Sequence, residues 1–320
     1  MKKPLIRYSM LLLLGLIPMT SLAELEPIKY GDFSQWYTRQ IKESNLIGGK
    51  TKKVYEIAPT GSAVGNNPYR NLGGSPWATS NVYANVSGIA KASTAVSPAT
   101  INGNKVCKME TVMEEVKVLG LINMDVIVQG TIFLGQVYEP IKSTKSPFSK
   151  MEMGMPYTKR PKAVQFDYRV DIPAGDKKVK ASGFGSPQES KGRDQAEVYV
   201  LLQRRWEDEK GNIYAKRVGT GRERYNKSVP WTKGHQIKIN YGDITKESFY
   251  KPYMGLLSDD KAYYAMNSKK KLVRVQEVGW ETDPKAAPTH VLFMASSSCG
   301  TPFVGTVGNT LYIDNVAFVH

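Results

Sequence analysis

Asp314 lies near the end of the chain in GNTLYIDNVAFVH, among Leu311, Tyr312, Ile313, Val316, Phe318 and Val319. Those apolar and β-branched neighbours predict a closing β-strand. A carboxylate there must be solvated, hydrogen-bonded or bound to a cation, because leaving it buried and unpaired costs several kcal/mol. A second group of residues suits saccharide chemistry. A sugar ring presents a face of C–H groups and a rim of hydroxyls, so its site needs an aromatic platform edged by planar polar side chains. Trp36, Trp77, Trp206, Trp231 and Trp280, with 18 tyrosines, supply the platforms. Trp77 follows Gly73-Gly74-Ser75-Pro76 and precedes Thr79-Ser80-Asn81, loop chemistry that nominates Trp77 and Asn81. Trp206, between Arg205 and Glu207 beside a predicted turn, is another candidate. Trp231 follows Pro230 and opens a strand, a position for packing.

MGMPYTKRP (153–161) presents Tyr157, Lys159 and Arg160 between prolines, which hold the backbone at low entropic cost. The Arg160 fork can serve hydroxyls or the carboxylate of an acidic sugar. The competing reading pairs Arg160 with a structural carboxylate and lets Pro161 open the strand KAVQFDYRV.

Catalytic chemistry finds no such nomination. A glycosidase uses two carboxylates across one cleft, about 5 or 6.5–9.5 Å apart. The chain has 29 acidic residues, but no spacing selects a pair, and adjacent ones such as Glu114-Glu115 and Asp259-Asp260 point apart. Ser296-Ser297-Ser298 is not a G-x-S-x-G elbow. No catalytic residue is assigned, and binding is favoured over catalysis. Two cysteines and three scattered histidines argue against structural zinc. Cys107 reads first as a buried thiol; pairing with Cys299 is the alternative that an oxidising compartment would allow.

The elements that must position these groups are strands. AEVYVLL (196–202), QIKINY (236–241), VRVQEV (273–278), HVLFMAS (290–296) and TLYIDNVAFV (310–319) combine β-branched and aromatic residues between turn formers. Lys210-Gly211-Asn212 reads as a hairpin turn. Only Trp36 to Ile47, ahead of Gly48-Gly49, has a helical pattern with a glycine stop. Strands without interleaved helices predict an all-β antiparallel sandwich with long loops and at most a short N-terminal helix. Residues 24–320 read as a single large domain, irregular over about 246–289.

Residues 1–23 read as a secretory signal: Lys2, Lys3 and Arg7, then the apolar run Met10 to Met19, then Ser21-Leu22-Ala23 for cleavage. That run is too short to span a bilayer, no later segment is apolar for long enough to do so, and no cysteine follows it for lipid attachment. The expected location is the periplasm, the cell surface or the medium. The formal charge is +15, of which Lys2, Lys3 and Arg7 contribute +3, leaving +12. It is spread widely, so it reads as a solvated basic surface or as a face for polyanionic glycans, and export argues against nucleic acid.

SPWATSNVYANVSGIAK (75–91) with VCKMET (106–111), GTIFLGQ (130–136) with MGMPYTKRP, SSSCGTPFVGTVGNTLYIDNV (296–316) and the opening YGDFSQWYTRQIKES (30–44) closely resemble the putative carbohydrate metabolism domain (PCMD). That family is known mainly from exported proteins of gut Bacteroidetes. The resemblance implies a galactose-binding-like jelly roll and a part in polysaccharide use, and carries over no catalytic residues. In sugar-binding jelly rolls a structural calcium ion often ties the final strand to the start of the domain. Asp32 in YGDF and Asp314 in YIDN would be its ligands here; the competing reading is a β-bulge at Asp314-Asn315 in which the carboxylate accepts backbone N–H bonds. The expected role is saccharide binding at the bacterial surface, alongside other glycan-utilisation proteins. The alternatives are a glycoside-active enzyme and a structural or adhesive surface protein.

Overall fold

The computed structural model describes residues 24–118, 122–143, 147–258, 261–299 and 301–320. The expected signal at 1–23 and the Asp259-Asp260 pair lie outside them. Two sheets build the sandwich. The first runs in the order Val229–Lys238, Ala163–Asp171, Thr310–Val319, Asn104–Glu110, Val96–Ile101, with Leu25–Pro27 also paired to Thr310–Val319, and every pairing in it is antiparallel. Val164, Phe166, Tyr168 and Val170 alternate with Gln165, Asp167, Arg169 and Asp171, so one strand carries an apolar inner face and a polar outer one. The inner face packs on Val198, Val200, Leu202 and Phe293 of the second sheet. Each large side chain so buried stabilises the fold by about 1.5–3 kcal/mol.

The second sheet closes on itself. His290–Ser296 pairs with Ala196–Glu207, then come Ile213–Tyr225, Leu272–Trp280, Tyr264–Met266, Met151–Met153 and Thr131–Val137, and the last of these pairs back to His290–Ser296. Its inside is packed by Phe133, Met153, Tyr199, Leu201, Tyr263 and Leu292. The ends of two long strands add a polar layer. Arg217 and Glu277 are fully buried partners, and Gln203 donates to Glu277 Oε1 at 2.6 Å. The segment expected as an irregular insertion thus supplies two strands of the ring, Tyr264–Met266 and Leu272–Trp280.

The expected N-terminal helix is not formed. Tyr37–Lys42 is a strand between Thr51–Glu56 and Gly61–Val64, followed by a short 3-10 turn at Asn45–Ile47 that ends on left-handed Gly48. Ile41 and Val54 of this small sheet bury against Tyr83, Ala90 and Ala92, a contact across strands that outweighs the local helical pattern. The hairpin at Lys210-Gly211-Asn212 forms as expected, with Gly211 at φ +91° and Asn212 N–H donating to Asp208. Cys107 is buried and both cysteines are free thiols.

The final strand contains the bulge. Leu311 and Ile313 face inward before it, and Val316 and Phe318 face inward after it, so one extra residue must be absorbed. Asn315 does this at φ +53°, opposite a register shift between Gln165 and Asp167.

Candidate functional site

The outer face of the first sheet is polar because strand alternation puts its residues there, and it is hollowed into a cleft of about 410 Å³ lined by Ile101, Asn102, Arg169, Asp171, Pro230 and Trp231 among others. Arg169 and Asp171 sit on the same side of Ala163–Asp171, two residues apart. They form a bidentate pair: Arg169 Nε donates to Asp171 Oδ1 and Nη2 to Oδ2, each at 2.9 Å. These hydrogen bonds raise the Arg169 pKa above its ordinary value. The guanidinium also lies 5.5 Å from the ring centre of Tyr312, its cross-strand neighbour. A second ion pair, Lys108 to Glu110 at 2.5 Å, follows on the next strand, where Lys108 is paired with Tyr312.

Trp231 reaches this cleft because of a bulge. Val229 pairs with Val170 and Thr232 with Tyr168, so both Pro230 and Trp231 stand opposite Arg169 alone. The irregularity carries a half-buried indole to the rim of the cleft, whereas regular alternation would have left a packing residue. Asn102, at φ +50° in the tip of the Val96–Glu110 hairpin, forms the facing wall. Neither the Trp231 indole N–H nor the Asn102 amide has a hydrogen-bond partner among the described residues. The cleft therefore combines an aromatic wall, a locked donor–acceptor fork and two uncommitted polar groups.

The sequence-nominated residues fall elsewhere. Trp77 is corrected to a core residue: it is 1% exposed, packs edge-on to Phe293 at 5.6 Å and donates its indole N–H to Lys29 O. Asn81 is buried too, donating to Tyr55 O and Val96 O and accepting from Ala95 N and Val96 N. Both belong to the short strand paired with Thr131–Val137 and the turn after it, so their loop-like neighbours mark a tight connection. Tyr157 donates its hydroxyl to Glu26 and packs on Phe318. Arg160 donates to the carbonyls of Ala286 and Pro284 and stacks 4.0 Å from the ring centre of Tyr241, so it ties down the 281–289 loop; its partners are carbonyls in place of the expected carboxylate. Trp206 stays 42% exposed, stacked on Tyr214 at 5.9 Å, at the projecting end of the Ala196–Tyr225 hairpin. Sequence reading passed over Trp231, Arg169, Asp171 and Asn102. The one available signal was the outward polar set Asp167, Arg169, Asp171 in an otherwise apolar strand.

At Asp32 and Asp314, the expected calcium ligands, each carboxylate has local hydrogen-bond partners. Asp314 is 4% exposed and accepts from Asn315 N at 2.9 Å and from the Asn315 amide at 3.3 Å. Burial first, then the nearby charges of Asp167 and Asp32, push its pKa up to about 6. Asp32 accepts from Ser34. Among the described residues no group of three or more His, Cys, Asp or Glu side chains is placed to hold a metal ion. The bulge is formed, with the carboxylate accepting the Asn315 backbone N–H.

Two carboxylates do share a cavity elsewhere. Glu56 and Glu139 line a space of about 10 Å³ with Tyr69, Asn71 and Asn81. That volume is about one water molecule. No pyranose ring fits there, so the pair is a structural lock.

An antiparallel β-sandwich with an aromatic cleft on the outside of one sheet is the class of protein these features define. A family model described as the putative carbohydrate metabolism domain matches residues 51–251, and the chain belongs to that family. Among solved structures the chain is similar to a putative glycoside hydrolase from Bacteroides vulgatus (15% identity, 70% of this chain and 77% of that one, TM-score 0.42). It is also similar to a putative glycoside hydrolase from Bacteroides thetaiotaomicron (16%, 85% and 76%, TM-score 0.44). A non-crystalline cellulose specific carbohydrate-binding module matches at 10% identity over 77% of this chain and 90% of that one, TM-score 0.28. Likeness at these values says nothing about chemistry. No curated protein matches the chain.

Proposed function

We propose that this protein is an exported saccharide-binding accessory of bacterial glycan use, a single domain over residues 24–320 that holds a sugar in the cleft at Trp231, Arg169, Asp171 and Asn102. The observation that carries the reading is the meeting of a half-buried indole with a bidentate Arg–Asp fork in a hollow of about 410 Å³. Indole against the C–H face and planar polar groups against hydroxyls is the arrangement a pyranose requires. Binding is favoured over hydrolysis because Asp171, the carboxylate lining this cleft, is committed to Arg169. The exposed Trp206–Tyr214 stack is a second, separate contact surface in this reading, and other glycan-utilisation proteins at the cell surface are its partners.

Affinity electrophoresis through gels containing plant or host polysaccharides tests it. The wild-type protein is retarded by at least one of them, and Trp231→Ala migrates as in an empty gel. Unchanged retardation of Trp231→Ala would exclude the cleft as the site.

A further inference from the structure

Net charge alone directs this chain toward acidic glycans, since the polypeptide after residue 23 carries +12 by the count above. The cleft does not share that charge. Its cation, Arg169, is neutralised by Asp171 through two 2.9 Å contacts, and the remaining lining residues Ile101, Asn102, Ser228, Val229, Pro230 and Trp231 are uncharged. The next ion pair on the face, Lys108 with Glu110, is balanced as well. A ligand carboxylate or sulfate entering here would have to displace Asp171 or sit beside it unpaired, and either course costs free energy.

From this balance we infer that the cleft selects a neutral sugar and reads two adjacent hydroxyls with the Arg169–Asp171 pair; the inference rests on the saccharide-binding reading above. Arg169 uses Nε and one hydrogen of Nη2 on Asp171, which leaves the second Nη2 hydrogen free beside Oδ2 and both Nη1 hydrogens free at the far side of the fork. Each Asp171 oxygen accepts one hydrogen bond from Arg169 and keeps a second acceptor site. At the open edge of the pair a donor and an acceptor therefore lie side by side in one plane. Vicinal hydroxyls fit that edge, one accepting from the second Nη2 hydrogen while its neighbour donates to Asp171 Oδ2. The fork is held before binding by Asp171 on one side and the Tyr312 ring on the other, so little rotamer freedom remains to be lost. Ser228 is committed to Ile172, which leaves the Asn102 amide and the Trp231 indole N–H for the remaining hydroxyls. Arg169 and Asp171 are 44% and 39% exposed, so a ligand reaches them without any rearrangement of the sheet.

Calorimetric titration of the full-length protein with the glycan that retards it, a deoxy analogue lacking one of two vicinal hydroxyls, and the matching uronic acid tests the inference. The neutral sugar binds with an affinity that changes less than about twofold between low and high salt, because no net charge is exchanged. The deoxy analogue and the uronate each bind about tenfold more weakly, the cost of one unpaired polar group in the site. Asp171→Asn removes the neutralising charge, so it loses the neutral sugar about tenfold and gains affinity for the uronate. Arg169→Lys, which keeps the charge and loses the planar fork, loses the neutral sugar without that gain. Tighter binding of the uronate by the wild-type protein, or binding abolished by salt, overturns neutral selection while leaving saccharide binding standing. Failure of every sugar to bind overturns both.

Discussion

Glu56→Gln is the substitution that best tests the buried lock. Arg39, 4% exposed, is the cation for both Glu56 and Glu139: Nη1 donates to Glu56 Oε1 at 2.8 Å, and Nη1 and Nη2 donate to Glu139 at 3.1 and 2.6 Å. Glu139 also accepts the backbone N–H groups of Tyr69 and Tyr83 at 2.9 and 2.6 Å. Glu56 adds only the Thr79 hydroxyl at 3.5 Å. One guanidinium cannot neutralise two carboxylates, and Glu56 has the poorer set of hydrogen-bond donors, so Glu56 is the acid that keeps a proton. Burial, with the Glu139 charge added and Arg39 opposing, pushes the Glu56 pKa from 4.5 up to about 8.

The sign follows from proton binding. Between pH 4.5 and 8 the folded state holds a proton on Glu56 that the unfolded chain has lost. Stability from this group is complete below pH 4.5 and disappears as the pH rises through 8, at about 1.36 kcal/mol per pH unit. From pH 5 to 8 the loss is about 3–4 kcal/mol, which for a chain of this size lowers the melting temperature by about 5–6 °C. Glu56→Gln mimics the protonated acid and removes this slope. Urea unfolding of both proteins at half-unit steps from pH 5 to 8.5 measures the gap, which widens steadily in favour of Glu56→Gln. Two curves that stay parallel across the range would refute the proton assignment. Arg39→Met is the control: it strands both acids and destabilises at every pH where either is charged.

Breaking the fully buried Arg217–Glu277 pair with Arg217→Met leaves a carboxylate held by Leu257 N–H and Gln203 without its counter-ion, and costs about 3–5 kcal/mol in urea unfolding at neutral pH. Changing Glu277 to Leu as well restores most of that loss; equal costs for the single and double variants would contradict the pairing. Asp314→Asn removes a buried charge whose pKa stands near 6, so it gains stability over the wild type on the order of 2 kcal/mol above pH 6 and nothing at pH 4. EDTA leaves the melting temperature of both proteins unchanged; a rise on adding calcium would restore the metal reading.

The strands were legible because their chemistry is local. Alternation in AVQFDYRVD and the apolar, β-branched run of HVLFMAS each specify a strand and a buried face without reference to the rest of the chain. The helix at Trp36–Ile47 failed because its apolar spacing is compatible with two structures, and the choice is made by Val54 and Tyr83, residues distant in sequence. Trp77 failed for a related reason. Glycine, proline and serine before it announce a tight entry to a strand as readily as an open loop, and only the pairing of Trp77–Thr79 with Thr131–Val137 shows which. Trp231 was hidden by the opposite error. Its strand is regular in composition, but the bulge that turns the indole into the cleft depends on pairing with Ala163–Asp171. Site residues set by register between distant strands leave little trace in the local pattern.

Closure of the second sheet bears on why the proposed binding face belongs to the first. In an open sandwich either outer sheet face could receive a ligand. Here the face bearing Tyr199, Leu201 and Leu292 is turned into an interior by Tyr264–Met266 and Leu272–Trp280, with Tyr263 and Leu257 packed against it. Tyr263 shares a hydroxyl contact with Tyr199, and Tyr253 lies 4.4 Å from Arg224 as a further cover. Aromatic and arginine side chains that would serve a sugar on an open sheet are spent on packing. Among the described residues the first sheet has no such cover over Arg169, Asp171 and Trp231, and its inner residues, Phe166, Tyr168, Ile313 and Phe318 among them, complete the core. A polar fork, a free amide and an indole left on that face contribute nothing evident to the fold, and it is on these groups that the proposed saccharide site rests.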